Sequence, residues 1–122
     1  MTVQEALTAI DNRSPNAYGI TDKLAWLSSL DGQIRAEIID THEGGPNTDF
    51  APYSIDDKNF LLLAPPPYDQ MYISWLESRI NYANAEYGRY NNAIAIFQGE
   101  YEDYRNWYNR NHMPIGSSFS YF

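Results

Sequence analysis

The sequence predicts an all-α fold: a small helical bundle with a C-terminal helical hairpin or one long helix, and one long loop. Three observations predict it. Apolar residues recur at spacings of three and four in three stretches. Helix-start signals stand ahead of the first two of them, and strand signals are weak throughout.

A chain of 122 residues is one domain, expected at 1–114, with the loop at about 42–67 and a flexible tail at 115–122. Thr2-Val-Gln-Glu5 matches the capping box, in which hydroxyl and carboxylate reciprocally satisfy free helix-start amides. Val3, Ala6, Leu7 and Ile10 then share one helical face. Ser14-Pro15-Asn16 breaks this first helix.

Thr21 is the expected cap of a second helix, with Asp22 in the dipole-favoured first turn. Leu24, Leu27, Leu30, Ile34 and Ile38 carry its apolar face to about Thr41. Gly32 lies in its middle at a cost of about 1 kcal/mol relative to Ala. Close approach of a neighbour and simple tolerance both account for it.

The segment 42–57 reads as a loop from Gly44-Gly45-Pro46-Asn47, Pro52 and Asp56-Asp57. Phe60-Leu61-Leu62-Leu63 is too short for a stable helix and reads as an extended piece docked on the helices. Pro65-Pro66-Pro67 follows, a run that favours polyproline geometry.

The strongest pattern spans 68–112. Tyr72, Leu76, Ile80, Ala83, Tyr87, Tyr90, Ala93 or Ile94, Phe97, Tyr101, Tyr104 and Tyr108 form a heptad-like stripe. One continuous helix would run about 65 Å at 1.5 Å per residue, long for so small a chain. The plausible break is Asn84-Ala85-Glu86-Tyr87-Gly88, and a hairpin is favoured over a rod. Pro114 and Gly116 end the pattern.

The composition excludes several kinds of chemistry. There are no cysteines, hence no disulfide, thiolate metal site or cysteine nucleophile. The net charge is −8, spread as seven acids and three bases in 1–45 and nine and five in 46–122. Without a Lys/Arg cluster, direct nucleic-acid binding is not expected. A DNA mimic would want a denser acidic face. The start is neither basic nor apolar, so it does not read as a signal peptide, and no run reaches the roughly 18–20 apolar residues of a membrane span.

Asp40, His42 and Glu43 are metal-ligating residue types. Polar residues are expected at a helix end beside Gly44-Gly45 in any case, so no metal, cofactor or catalytic residue is assigned. His112 suits a helix C-terminus. Glu100, Glu102 and Asp103 fan around a helix axis and read as a solvated face. No Gly-x-Ser-x-Gly elbow, GxGxxG or Walker motif occurs.

Tyrosine is the unusual feature. Eight of the eleven fall in 68–108. Stripe positions read as core, with each hydroxyl reaching water at the edge. Tyr82, Trp75 and Trp107 lie off the stripe and leave aromatic surface for a partner. Tyr82, Trp107, Phe119, Tyr121 and Phe122 are the candidate partner-binding residues.

Several stretches resemble small proteins of prophage structural modules. They are Trp26-Leu-Ser-Ser-Leu30-Asp-Gly-Gln-Ile34, Pro67-Tyr-Asp-Gln-Met-Tyr-Ile-Ser-Trp75-Leu, Ile80-Asn-Tyr-Ala-Asn84, Tyr87-Gly-Arg-Tyr-Asn-Asn92, and Asn106-Trp-Tyr-Asn-Arg-Asn-His-Met-Pro114. The layout is similar to head–tail connector (adaptor) proteins of tailed phages. That resemblance implies a non-enzymatic virion protein, present in the bacterial cytoplasm during assembly. It implies contacts with the portal and a tail-side protein, and a homo-oligomeric ring on assembly. The Ala64–Pro67 segment and the Gly-Gly loop do not map onto a known connector contact. The alternatives are a soluble prophage or bacterial accessory protein with a single protein partner, and a small enzyme using the His42 region.

Overall fold

The structure, a computed structural model, describes residues 1–42 and 49–112, and it is all-α. Four helices run in chain order: α1 (Val3–Arg13), α2 (Ile20–Ile34), α3 (Gln70–Ala83) and α4 (Tyr87–Asn111). A π-helical turn (Arg35–Ile39) extends α2, and a 3-10 turn (Ile55–Asp57) interrupts the following loop. The 115–122 tail and Gly44-Gly45 of the expected loop lie outside the described residues.

α1 starts as its sequence predicts. Thr2 Oγ1 accepts from the Glu5 amide at 3.1 Å while Glu5 accepts from the Thr2 amide at 2.8 Å. Val3, Ala6, Leu7 and Ile10 are all buried. The free amides of the first turn also find partners outside the helix. Val3 donates to the Phe60 carbonyl and Gln4 to the Lys58 carbonyl, both at 2.9 Å. This pairing, with Leu62 donating to Met1, lays 60–62 antiparallel to the chain start. The docking of that segment is partial. Leu62 is buried and Leu63 half-buried, whereas Phe60 and Leu61 stand exposed. Residues 66–69 form a turn with a cis Pro66–Pro67 bond instead of the expected polyproline run.

α2 departs from expectation at both ends. Its cap is Gly19, whose carbonyl accepts from Lys23, and the expected cap Thr21 lies inside the first turn. The chain is turned toward the helix one step earlier, where Asn16 Oδ1 accepts from the Tyr18 amide. Leu24, Leu27, Leu30, Ile34 and Ile38 are buried as predicted. The helical path ends at Ile39, not Thr41, because the ladder widens and Asp40 donates to the Arg35 carbonyl. The wider turn brings the successive residues Ile38 and Ile39 both into the core. At Gly32 an added Cβ would meet the Phe50 ring at 3.8 Å, an ordinary contact, so no helix approaches closely there.

The C-terminal pattern is a hairpin. α3 and α4 pack along their lengths and turn through Asn84, Ala85 and Glu86. The left-handed residue is Ala85, with φ 59°, while Gly88 falls inside α4. Tyr72, Leu76, Ile80, Ala93, Phe97, Tyr101, Tyr104 and Tyr108 are buried in the seam. Ala83, Tyr87 and Tyr90 belong to the same stripe but sit at the tip. Ala83 and Tyr87 are exposed and Tyr90 is half-buried, because the turn removes the facing helix there.

Candidate functional site

Asp31 is a charged-type residue with no exposed surface. It sits four residues after Leu27 and three before Ile34, squarely on the apolar stripe of α2. Tyr72 of α3 donates to its Oδ1 at 2.6 Å, and Tyr53 of the loop donates to its Oδ2 at 2.5 Å. The Leu63 amide adds a third bond at 3.2 Å. Burial pushes the Asp31 carboxyl above its ordinary range, against the pull of these donors. Burial, and then the neighbouring Asp31 charge, push the Tyr53 and Tyr72 phenols upward. The expectation that stripe tyrosines reach water fails at Tyr72. Its hydroxyl is wholly inside, where it also accepts from the Ala64 amide at 2.9 Å. Sequence reasoning passed over this hub, which joins α2, α3 and two loop segments; an acid on an apolar stripe was the signal that could have found it.

Beside the hub lies a groove of about 590 Å³, lined by Leu24, Ala25 and Ser28 of α2 and by Pro52, Tyr53 and Ile55 of the loop, among others. Ser28 accepts from the Tyr53 amide at 2.8 Å, which holds the loop against the helix. Ile55 is 57% exposed at the rim.

A second surface gathers at the hairpin tip. Tyr82 of α3 packs edge-on against Tyr87 at 5.9 Å and Tyr90 at 5.2 Å of α4. The Arg79 guanidinium lies 4.6 Å from the Trp75 ring centroid and 5.5 Å from those of Tyr82 and Tyr90. Trp75 continues the surface inward, donating to the Trp26 carbonyl at 2.8 Å and packing on Phe97 at 5.0 Å. Tyr82 is 54% and Tyr87 57% exposed. Three tyrosines, a tryptophan and an arginine are the residue types enriched where proteins bind tightly.

Of the predicted partner-binding residues, the two that are described, Tyr82 and Trp107, stand apart. Tyr82 is central to the hairpin surface. Trp107 is half-buried at the other end of α4, against Tyr68 at 5.2 Å and Tyr104 at 6.0 Å. Phe119, Tyr121 and Phe122 lie outside the described residues. Sequence reasoning missed Arg79, Tyr87 and Tyr90 as surface. The last two were assigned to the seam because periodicity continues unbroken through the turn.

His42 is buried, with Nδ1 2.5 Å from the Ile38 carbonyl and Nε2 2.7 Å from Asn109 Oδ1. It links the end of the π turn to the end of α4, and its ring packs edge-on to Tyr108 at 5.0 Å. Among the described residues no three of His, Cys, Asp and Glu cluster as metal ligands would; Glu43 is not among them. His112 caps α4, with Nδ1 3.2 Å from the Tyr108 carbonyl. The acids of α4 fan apart only in part: Glu102 turns away, whereas Glu100 and Asp103, three residues apart, share a face and line one pocket with Pro67 and Tyr68. Glu100 accepts from Ser74 at 2.6 Å, Glu102 lies 3.7 Å from Arg105, and Asp103 is exposed. Among the described residues no helix is long and apolar enough to cross a membrane. Compared with known proteins, the chain matches no family model, no curated protein and no solved structure.

Proposed function

We propose that this chain is a non-enzymatic phage virion protein of the head–tail connector type, binding its neighbours at the portal side of the particle through protein–protein contacts. The observation that carries the binding reading is the exposed aromatic pair of Tyr82, which lies against Arg79, and Tyr87, which packs on Tyr82. A soluble chain keeps such residues on its surface at a cost unless a partner covers them. Bridging needs a second contact. The groove between α2 and 52–55 shares no lining residue with the hairpin surface and suits that role. The residue stretches that resemble prophage structural proteins supply the particle and the neighbours, a portal and a tail-side protein. In this reading the aromatics Phe119, Tyr121 and Phe122 also serve partner contact, and copies join as a ring on assembly.

The test is electron microscopy of the purified protein mixed with the portal of the same phage. The expected result is added ring density on the portal, absent with Tyr82→Ala. A protein that stays off the portal yet pulls down a single different phage or host protein would favour the accessory-protein reading instead.

A further inference from the structure

We propose that the face formed by Trp75, Arg79, Tyr82, Tyr87 and Tyr90 docks a protein segment presenting one carboxylate beside an apolar side chain. This rests on the protein-binding reading above and adds where the partner sits and by what chemistry it is held.

Arg79 is the reason. The chain has eight Lys and Arg residues. Five of them, Arg13, Lys23, Arg35, Arg89 and Arg105, lie within ion-pair distance of a carboxylate. Arg79 has no ion pair and no hydrogen bond among the described residues, and its Nε is shut away from solvent without an acceptor. Lys58 and Arg110 also lack an ion pair among the described residues, but neither has its charged nitrogens shut away, and water solvates them. At Arg79 Nε that water is replaced by aromatic rings, which attract a cation but accept no strong hydrogen bond, while the other nitrogens of the half-buried guanidinium stay open to a ligand. The carboxylates nearest in sequence are engaged elsewhere. Glu77 faces Arg13 at 3.5 Å and Glu86 faces Arg89 at 3.3 Å.

The guanidinium is therefore a planar set of donors held in orientation by its walls and lacking a counter-charge. Such a fork matches a carboxylate in two-point geometry. The walls fix the rest of the ligand. Tyr82, beside the guanidinium, and Tyr87, packed on Tyr82, stand more than half exposed, an open apolar face that a side chain next to the carboxylate covers. A nucleic-acid strand also offers anions and stackable rings, but it is a polyanion. It would approach a chain of net charge −8 with no basic groove to follow. One carboxylate amid apolar groups carries the matching charge without that repulsion.

N-acetyl-leucine tests the chemistry directly, because it joins one carboxylate to one apolar side chain, and its amide removes only the charge. Both are titrated into the ¹⁵N-labelled protein while the Arg79 Nε–H and the amide signals of 79–90 are followed. The expected result is millimolar binding of N-acetyl-leucine at these signals, at least fivefold tighter than the amide. That preference should vanish in Arg79→Gln and be reduced in Arg79→Lys, with melting temperatures reported for both. If either variant is unfolded, Tyr82→Ala takes its place and should weaken both ligands. Equal binding of acid and amide, or a preference that survives Arg79→Gln, overturns the proposal. Tighter binding of oligothymidine at the same signals overturns it in favour of nucleic acid. Binding of Arg79→Gln to the portal separates the two readings. A portal complex unaffected by that change refutes this site and leaves the proposed function standing. A positive titration with no portal complex does the reverse.

Discussion

The hydroxyl of Tyr72, on α3, donates to the carboxylate of Asp31, on α2, across 2.6 Å in a region from which solvent is excluded. The same hydroxyl accepts from the Ala64 amide, so one phenol settles a buried acid and a buried backbone donor together. Removing it leaves the amide without an acceptor and Asp31 short of a donor. Tyr72→Phe should therefore cost about 2.5–6 kcal/mol, the sum of a hydrogen bond to a charged group and an unsatisfied buried N–H. Urea unfolding measures this; a midpoint equal to wild type would show that the hub is not formed.

The pH dependence of the hub has a definite sign. Asp31 has a folded-state pKa raised above its unfolded value of about 3.9. The fold thus prefers the protonated acid. Its favourable contribution is full below the unfolded value and is lost as pH rises through the raised folded value. Asp31→Asn has no such loss. The stability of Asp31→Asn relative to wild type should increase as pH is raised from about 4 and then level off. Paired urea curves across that range check the trend, and a constant difference would contradict it.

Leu30 sits one residue before the hub and has no exposed surface. Its truncation removes core contacts that α2 shares with its neighbours and leaves a cavity. Leu30→Ala should cost about 2–5 kcal/mol. An unchanged urea midpoint would mean that α2 does not pack as described.

The hairpin turn offers a change in the opposite direction. Ala85 has φ 59°, where its Cβ crowds the carbonyl of its own peptide unit at a cost of about 1–2 kcal/mol. Glycine lacks that Cβ, although it gives up more freedom on folding. Ala85→Gly should therefore raise stability by up to about 1 kcal/mol, visible as a higher melting temperature. Gly88→Ala tests the same turn from the other side. Gly88 lies inside α4 with nothing within 4 Å of an added Cβ, so alanine there should also stabilise.

These two residues also show where the sequence stops being legible. Asn84 to Gly88 was identifiable as the break because Asn and Gly both suit a helix end, yet the left-handed position went to Ala85. A turn is chosen by how the two helices pack, and local propensity yields to that. The stripes of α1 and α2 were legible to the residue, since a repeat of three and four has one physical solution on a packed helix. At the tip the same repeat misleads. Tyr87 and Tyr90 keep the period without a helix opposite, and only the fold separates seam from surface. Asp31 and Arg79 were less legible still. Their significance lies in what reaches them from elsewhere in the chain: two phenols for the acid and, among the described residues, no acceptor for the cation.

The phenols make a last prediction at alkaline pH. Burial raises Tyr53, Tyr72, Tyr101, Tyr104 and Tyr108 above the ordinary value, and neighbouring negative charge adds to it. Tyr101 is pushed up to about 12, first by burial and then by its bond to Glu37 at 2.9 Å. A phenol is neutral when protonated, so a raised value means that the fold favours the neutral form. The stability from these groups is complete below about pH 10 and is lost as pH rises toward and past 12. The ionisation measured by absorbance near 295 nm should therefore have two phases. In the first, helical circular dichroism is retained. The buried group follows together with loss of helix, because those phenols ionise only when the seam opens. Glu37→Gln removes a negative acceptor from Tyr101 and should bring that phenol's ionisation to lower pH. A single smooth titration of all tyrosines near pH 10, with the helices intact, would show that the seam of α3 and α4 is open to water.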